Sequence, residues 1–187
     1  MKSNYCVDLN IPVLHPLKDP NILNQTGHKP EIWFADPSNV SSEFTSWLSA
    51  NNLVLTFPPL IFYTPKRREC GLHIDGGGII DRVTMNWIVQ GTGSEMHWYE
   101  LVPDTIITEG VKTQAGTPYT RYKEEDVIHL HSQPVRWPSI VQVGIPHKIT
   151  NYTDEPRWCI SCDVGKKENP EAGLTMAEAM EVFKLWM

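Results

Sequence analysis

Cysteine is scarce: Cys6, Cys70, Cys159 and Cys162 are the only four in 187 residues. Their spacing gives no disulfide framework. A chain of this length buries roughly two-thirds of its unfolded surface and needs no staple in order to fold. Cys159 and Cys162 make a lone C-x-x-C with no second pair and no helix to open, so strand packing is expected there rather than zinc or redox chemistry. Long apolar runs are missing too. No stretch reaches the about 18 residues of a membrane span, and the opening segment, broken by Asp8, Asn10 and Pro12, has no signal-peptide core. These absences give the expectation of a cytoplasmic protein without a membrane partner. Positive charge is short as well, 16 Lys and Arg against 22 Asp and Glu for a net charge of −6. Bulk binding of a phosphate backbone, which needs a clustered basic surface, is therefore excluded. The run Lys66-Arg67-Arg68 reads as a solvated turn between strands. With 15 prolines and 12 glycines as punctuation, uninterrupted helices are few and a helical bundle is ruled out.

What is abundant is Val, Ile, Thr and aromatics in short alternating runs, the pattern of strands joined by turns. No repeat or linker divides the chain, so one domain over residues 1–187 is expected. Within it, residues 1–52 form an irregular arm and a packing helix, 53–164 the β core and 165–187 a C-terminal helix. Ser41 or Ser42 caps the first helix, with Phe44, Trp47 and Leu48 at helical spacing through about Asn51. Strands are predicted at 53–57, 60–64, 71–75, 79–90, 95–101, 126–131, 139–143, 147–151 and 157–164. Their turn signals and the lack of strand-helix alternation point to a sandwich or jelly roll. Thr175-Met176-Ala177-Glu178 is a capping box opening the last helix, whose stripe of Met176, Ala179, Met180 and Phe183 is suited to core packing.

His73-x-Asp75, followed by Gly76, Gly77 and Gly78, is the sharpest chemical signal. On a strand, residues i and i+2 share a face with Cα atoms about 6.6 Å apart, so an imidazole and a carboxylate converge on one ion. His147 opens a later predicted strand, and Arg157 follows ten residues on, sharing a strand face with Cys159, Ser161 and Asp163. A guanidinium beside a metal is suited to grip a carboxylate with two parallel hydrogen bonds. His129-x-His131 is a second i, i+2 pair with the potential for a cupin-like metal site, but no carboxylate or arginine follows it in comparable register. His15 and His28 read as surface residues of the arm.

The constellation His73-x-Asp75, His147 and Arg157, spread through short strands behind a helix, resembles the Fe(II)- and 2-oxoglutarate-dependent dioxygenases. The segments Arg82 to Leu101 and Pro146 to Ser161 are similar to short, poorly characterised members of that superfamily, bacterial and phage-type proteins among them. The resemblance covers residues 53–164. It implies a double-stranded β-helix with flanking helices, in which His73, Asp75 and His147 hold Fe(II) and serve as the catalytic residues. Arg157 would pair with the distal carboxylate of 2-oxoglutarate, O2 would be the oxidant, and oxidation of the substrate, a hydroxylation, would accompany release of succinate and CO2. One position departs from the family, which often has Ser or Thr two residues after the arginine. Cys159 stands there in this chain, with Ser161 one pleat further on the same face.

Other assignments follow from the strand pattern. Between Ile79 and Gln90 the even positions carry Arg82, Thr84, Asn86 and Gln90, a stripe that either lines the barrel or faces solvent. Asn86 is the candidate second contact to the metal site or cosubstrate. Tyr63 and Tyr99 are candidate pocket residues, and residues 110–122 are a candidate lid. Two other classes compete: a cupin-type metalloenzyme that does not use 2-oxoglutarate, and a non-catalytic jelly-roll module in which Trp87, Trp98 or Trp137 stacks on a ligand. The expected partner is a small-molecule or peptide substrate, and a homodimer is compatible with the composition.

Overall fold

The computed structural model describes residues 5–12, 15–19, 31–76, 78, 80–105, 110–135 and 138–187; His28, Ile79 and Trp137 lie outside them. The chain is mostly β. Its elements are β1 (Cys6–Asp8), β2 (Ile32–Phe34), α1 (Ser42–Ala50), β3 (Leu53–Leu55), β4 (Leu60–Thr64), β5 (Arg68–Asp75), β6 (Val83–Gln90), β7 (Ser94–Leu101), β8 (Val111–Lys112), β9 (Pro118–Arg121), β10 (Val127–Pro134), β11 (Ser139–Gln142), β12 (His147–Asn151), β13 (Arg157–Cys162), β14 (Val164–Lys166) and α2 (Met176–Val182). Two six-stranded antiparallel sheets run β1-β11-β6-β13-β4-β2 and β10-β7-β12-β5-β9-β8, and β3 pairs with β14 apart from both. From β4 to β7 and again from β10 to β13 the chain crosses from sheet to sheet. That winding is the jelly roll, in which each sheet turns one face inward.

Alternation along the strands separates two cores. On β6 the odd residues Val83, Met85 and Trp87 join Phe44, Leu48, Trp158, Ile160, Met176 and Phe183 outside the first sheet. On the same strand Ile88 joins Cys6, Met96, Trp98, Val141 and Cys159 between the sheets. The stripe of Thr84 and Asn86 therefore faces inward, each at 6% exposure. The helices are placed by their caps. Ser41 accepts from the Phe44 N–H, while Thr175 and Glu178 form the reciprocal capping box of α2.

Four expectations are corrected. The strand predicted at 53–57 stops at Leu55 and pairs with β14, outside the sandwich. The strand predicted at 79–90 starts only at Val83, the first residue of β6, and the described residues 80–82 stand ahead of it. Segment 110–122 is the β8–β9 hairpin, bonded to the edge of β5 instead of lying free as a lid. The arm is less irregular than its composition suggests, because β1 and β2 close the two edges of the first sheet.

Candidate metal centre

His73 and Asp75 lie on one face of β5, and His147 opens β12 directly opposite His73. His147 is also opposite Trp98 of β7. Cross-strand partners point to the same side of a sheet, and Trp98 is in the inner core, so all three side chains turn into the barrel. Their ligand atoms lie within 4.8 Å of one another. His73 Nε2 is 3.4 Å from an Asp75 carboxylate oxygen, and the two imidazole centroids are 4.4 Å apart. Among the described residues this is the only group of three or more His, Cys, Asp or Glu side chains so placed.

Each imidazole is held from behind. His73 Nδ1 is 2.6 Å from the Gly71 carbonyl and His147 Nδ1 is 2.8 Å from the Ile145 carbonyl. A carbonyl only accepts, so Nδ1 carries the proton in both rings and the Nε2 lone pairs are left for an ion. Burial, then the neighbouring His73, push His147 down to about 4, which keeps it a neutral ligand. Without an ion, burial also pushes against charge on His73 and Asp75, but a second proton, on His73 Nε2 and shared with the Asp75 carboxylate, and the opposite charges that result prevail. His73 is raised and Asp75 lowered. Gly144 sets the approach of β12: a Cβ there would stand 1.9 Å from the Ile80 carbonyl oxygen. Two imidazoles and one carboxylate converging in this way would make a facial donor set for a divalent ion.

A β-bulge in β5 adds a residue the sequence pattern does not reveal. His147 pairs with His73, but Ile149, two residues on, pairs with Cys70, three residues back. The extra residue reverses the parity of the strand. Cys70 thus shares the inward face with the triad, and its thiol feels the charges of both Asp75 and Arg157.

Arg157 starts β13 on the face of Cys159 and is 1% exposed. Its Nε donates to Ser94 Oγ at 3.0 Å, while Nη1 is buried without a hydrogen-bond partner. No carboxylate of the described residues is in salt-bridge range of it. Ser94 is four residues below Trp98 on β7, roughly 13 Å at the rise of a strand. The guanidinium consequently occupies the deep end of the barrel and the triad its mouth. Gly91, at φ +74, makes room for it, since a Cβ there would come within 2.8 Å of Arg157 Cα.

Other candidates are dispersed. Asn86 faces inward between Ser139 of β11 and Ser161 of β13 and accepts from Thr84 Oγ1 at 3.2 Å. Tyr63 packs at a tilt against Trp158, with ring centroids 4.6 Å apart, in the outer core, and Tyr99 belongs to a small cluster with Leu72, Ile74 and Tyr122 outside the second sheet. Neither enters the barrel, because strand parity turns each outward. A bulge in β10 sets His129 opposite Tyr99 and His131 opposite Trp98, so the pair points to opposite faces and cannot share an ion. Cys159 and Cys162 likewise divide between inner and outer cores. His15 is half-buried rather than a surface residue, accepting from the Leu17 N–H, and Trp87 is sealed in the outer core. The spacing missed Ser94, Cys70 and the rim pair Arg82–Asp163, joined at 2.6 Å.

No family model and no curated protein matches the chain. Among solved structures it is similar to oxalate decarboxylase from Bacillus subtilis, at 12% identity over 74% of this chain and 27% of that one, with a TM-score of 0.33. It is similar also to oxalate decarboxylase from Lactobacillus farciminis in a formate complex, at 16% identity over 77% and 32% of the two chains and a TM-score of 0.34. The chain thus spans under a third of the length of either. Among the described residues no helix is long and apolar enough to cross a membrane. The structure is a jelly roll carrying a candidate His/Asp/His metal site.

Proposed function

We propose that the chain is a non-haem Fe(II)- and 2-oxoglutarate-dependent oxygenase, hydroxylating a small molecule or peptide side chain. The observation that carries this reading is the buried guanidinium of Arg157, on the inner wall below a facial His/Asp/His set. A permanent cation without a counter-charge costs several kcal/mol in such a place. A dicarboxylate reaching from the triad toward the deep end would supply the missing charge, and the donor set fits a divalent iron. Bound there, metal and keto acid would provide the oxidative chemistry, with release of succinate and CO2.

The chain's own part is positioning. The Gly71 and Ile145 carbonyls orient the two imidazoles. Ser94 fixes the guanidinium through Nε, leaving Nη1 to donate to a carboxylate. Trp98 donates from Nε1 to the Gln142 carbonyl at 2.8 Å, tying the sheets together beside His147. Met96, Ile149 and Ile88 keep the inner wall apolar and limit water. Asn86 is the proposed further polar contact in the barrel.

Anaerobic addition of Fe(II) and 2-oxoglutarate should produce a weak visible charge-transfer band, and admission of air should yield succinate. A protein that binds the metal but not the keto acid would overturn the reading. It would favour a cupin-type metalloenzyme that holds a carboxylate substrate directly on Arg157. The Bacillus subtilis oxalate decarboxylase, with its Mn(II) centres, illustrates that alternative, and Cys159 in place of the expected hydroxyl supports it. Metal-dependent turnover independent of 2-oxoglutarate concentration is its signature.

A further inference from the structure

Beyond the triad and Arg157, the mouth of the barrel has two charged walls that the oxygenase reading does not use. On the first sheet, Asp163 follows β13 on the inward parity of Arg157, Cys159 and Ser161. One of its oxygens accepts from Arg82 at 2.6 Å, and the other, Oδ1, is buried with no partner. The Asp75 N–H donates to the Val143 carbonyl at 3.2 Å and the Val143 N–H to the Arg82 carbonyl at 3.0 Å, which sets the Arg82–Asp163 pair beside the triad. Burial first, and the Asp75 charge as a lesser cause, raise the Asp163 carboxyl. An orphaned carboxylate oxygen in such a place costs about as much as a lost charged hydrogen bond unless a donor meets it.

On the second sheet, β9 lies against the ligand strand with Arg121 directly opposite His73 and Tyr119 opposite Asp75. These residues share the face of the metal ligands. The Tyr119 ring meets His73 edge-on at 6.0 Å, and the Arg121 guanidinium lies over that ring, 5.3 Å from its centroid. A flat aromatic under a guanidinium orients its donor edge, the geometry suited to a carboxylate. The two walls thus present an acceptor and a cation on opposite sides of one metal site.

We propose that the mouth selects a small zwitterion, an α-amino acid or close derivative, whose ammonium group donates to Asp163 Oδ1 and whose carboxylate meets Arg121. This names the substrate class of the proposed oxygenase and rests on that reading. Arg82 holds Asp163 by its other oxygen and is a positioning residue. The substrate's side chain then projects toward the triad, where a C–H bond can be presented.

The experiment uses the full chain loaded anaerobically with Fe(II) and 2-oxoglutarate. The probes are the free L-amino acids, first mixed and then singly, their decarboxylated amines and their N-acetyl derivatives. At least one free amino acid should shift the visible band, with its N-acetyl derivative weaker by about tenfold or more, the value of a hydrogen bond to a charged group. D163N should weaken the same amino acid by a similar factor, and R121Q should erase the preference for the amino acid over its amine. Formation of the band in each variant is the folding control. Equal response to N-acetylated probes, or none to any amino acid in a protein whose band forms, overturns the inference. If the band never forms, the oxygenase reading fails, and calorimetry of the same probes on the Zn(II)-loaded protein decides the zwitterion separately. Binding that distinguishes free from N-acetylated amino acids supports it, and no such distinction overturns it.

Discussion

The outer face of the β1-β11-β6-β13-β4-β2 sheet is covered by α1, α2 and the chain termini, which seal Trp87, Phe44 and Phe183 from solvent. The outer face of the partner sheet carries only the small cluster of Leu72, Ile74, Tyr99 and Tyr122, with His97, Thr150 and Lys148 around it. Yet it is this thinly covered sheet that supplies His73, Asp75 and His147. One sheet is built for stability and offers the deep guanidinium, while the other carries the candidate metal ligands. Metal affinity and fold stability should therefore separate under mutation.

The largest effect is expected at the triad. Replacing His147 or Asp75 with Ala should abolish the metal-dependent band and the release of succinate, with a fold still intact by circular dichroism. A collapse of the fold in step with the metal would break the comparison. On the stable sheet, Phe44→Ala removes a ring packed edge-on against Trp87 at 5.3 Å and should cost about 3–5 kcal/mol in urea unfolding. Metal affinity measured on the surviving folded protein should stay near the parent value.

Arg157→Met sharpens the contrast from the other side. Loss of the guanidinium should weaken 2-oxoglutarate by roughly 10²-fold or more, yet leave the ligand-free protein equal or up to about 4 kcal/mol more stable, since an uncompensated buried charge is gone. A destabilised variant would mean that the cation is satisfied within the chain.

A smaller effect is a dependence on pH. His147 is near its ordinary value in the unfolded chain and held down to about 4 when folded. The unfolded state therefore binds more protons between these values, and the metal-free melting temperature should rise with pH from about 4 to 6.5. His73, raised by Asp75, acts in the opposite sense, so His147→Gln should flatten or invert the slope. Smallest is the cap of α2. Lys166 and Thr175 hold Glu178 at about 2, so its contribution is present above about 4.5 and lost as pH falls toward 2. Glu178→Gln should remove that acid-labile increment, seen by helix ellipticity.

The jelly roll was legible because turn residues bound nearly every strand: Leu60–Thr64 and His147–Asn151 begin and end where alternation predicts. His73-x-Asp75 was legible for the same reason, strand parity being local. What escaped depends on pairing. The bulges in β5 and β10 are cross-strand events, and they turn Cys70 inward and part His129 from His131. A loop-like composition concealed the β8–β9 hairpin, in which β9 takes its hydrogen bonds from the edge of β5 and β8 pairs with β9 beyond it. Ser94 gives no sign in sequence of its link to Arg157, 63 residues away.

If Arg157 holds the proposed dicarboxylate, it would also tie the chain's survival to its supply of ligand. A dicarboxylate that binds only the folded state lowers its free energy by mass action, by about 2.7 kcal/mol at a hundredfold excess over its dissociation constant. Stabilities of folded domains are themselves only about 5–15 kcal/mol. On the proposed reading, the protein would persist where keto acid is plentiful, and where it runs short a larger fraction would visit the unfolded state and meet proteases. The uncompensated guanidinium would then make protein abundance a slow record of cosubstrate level.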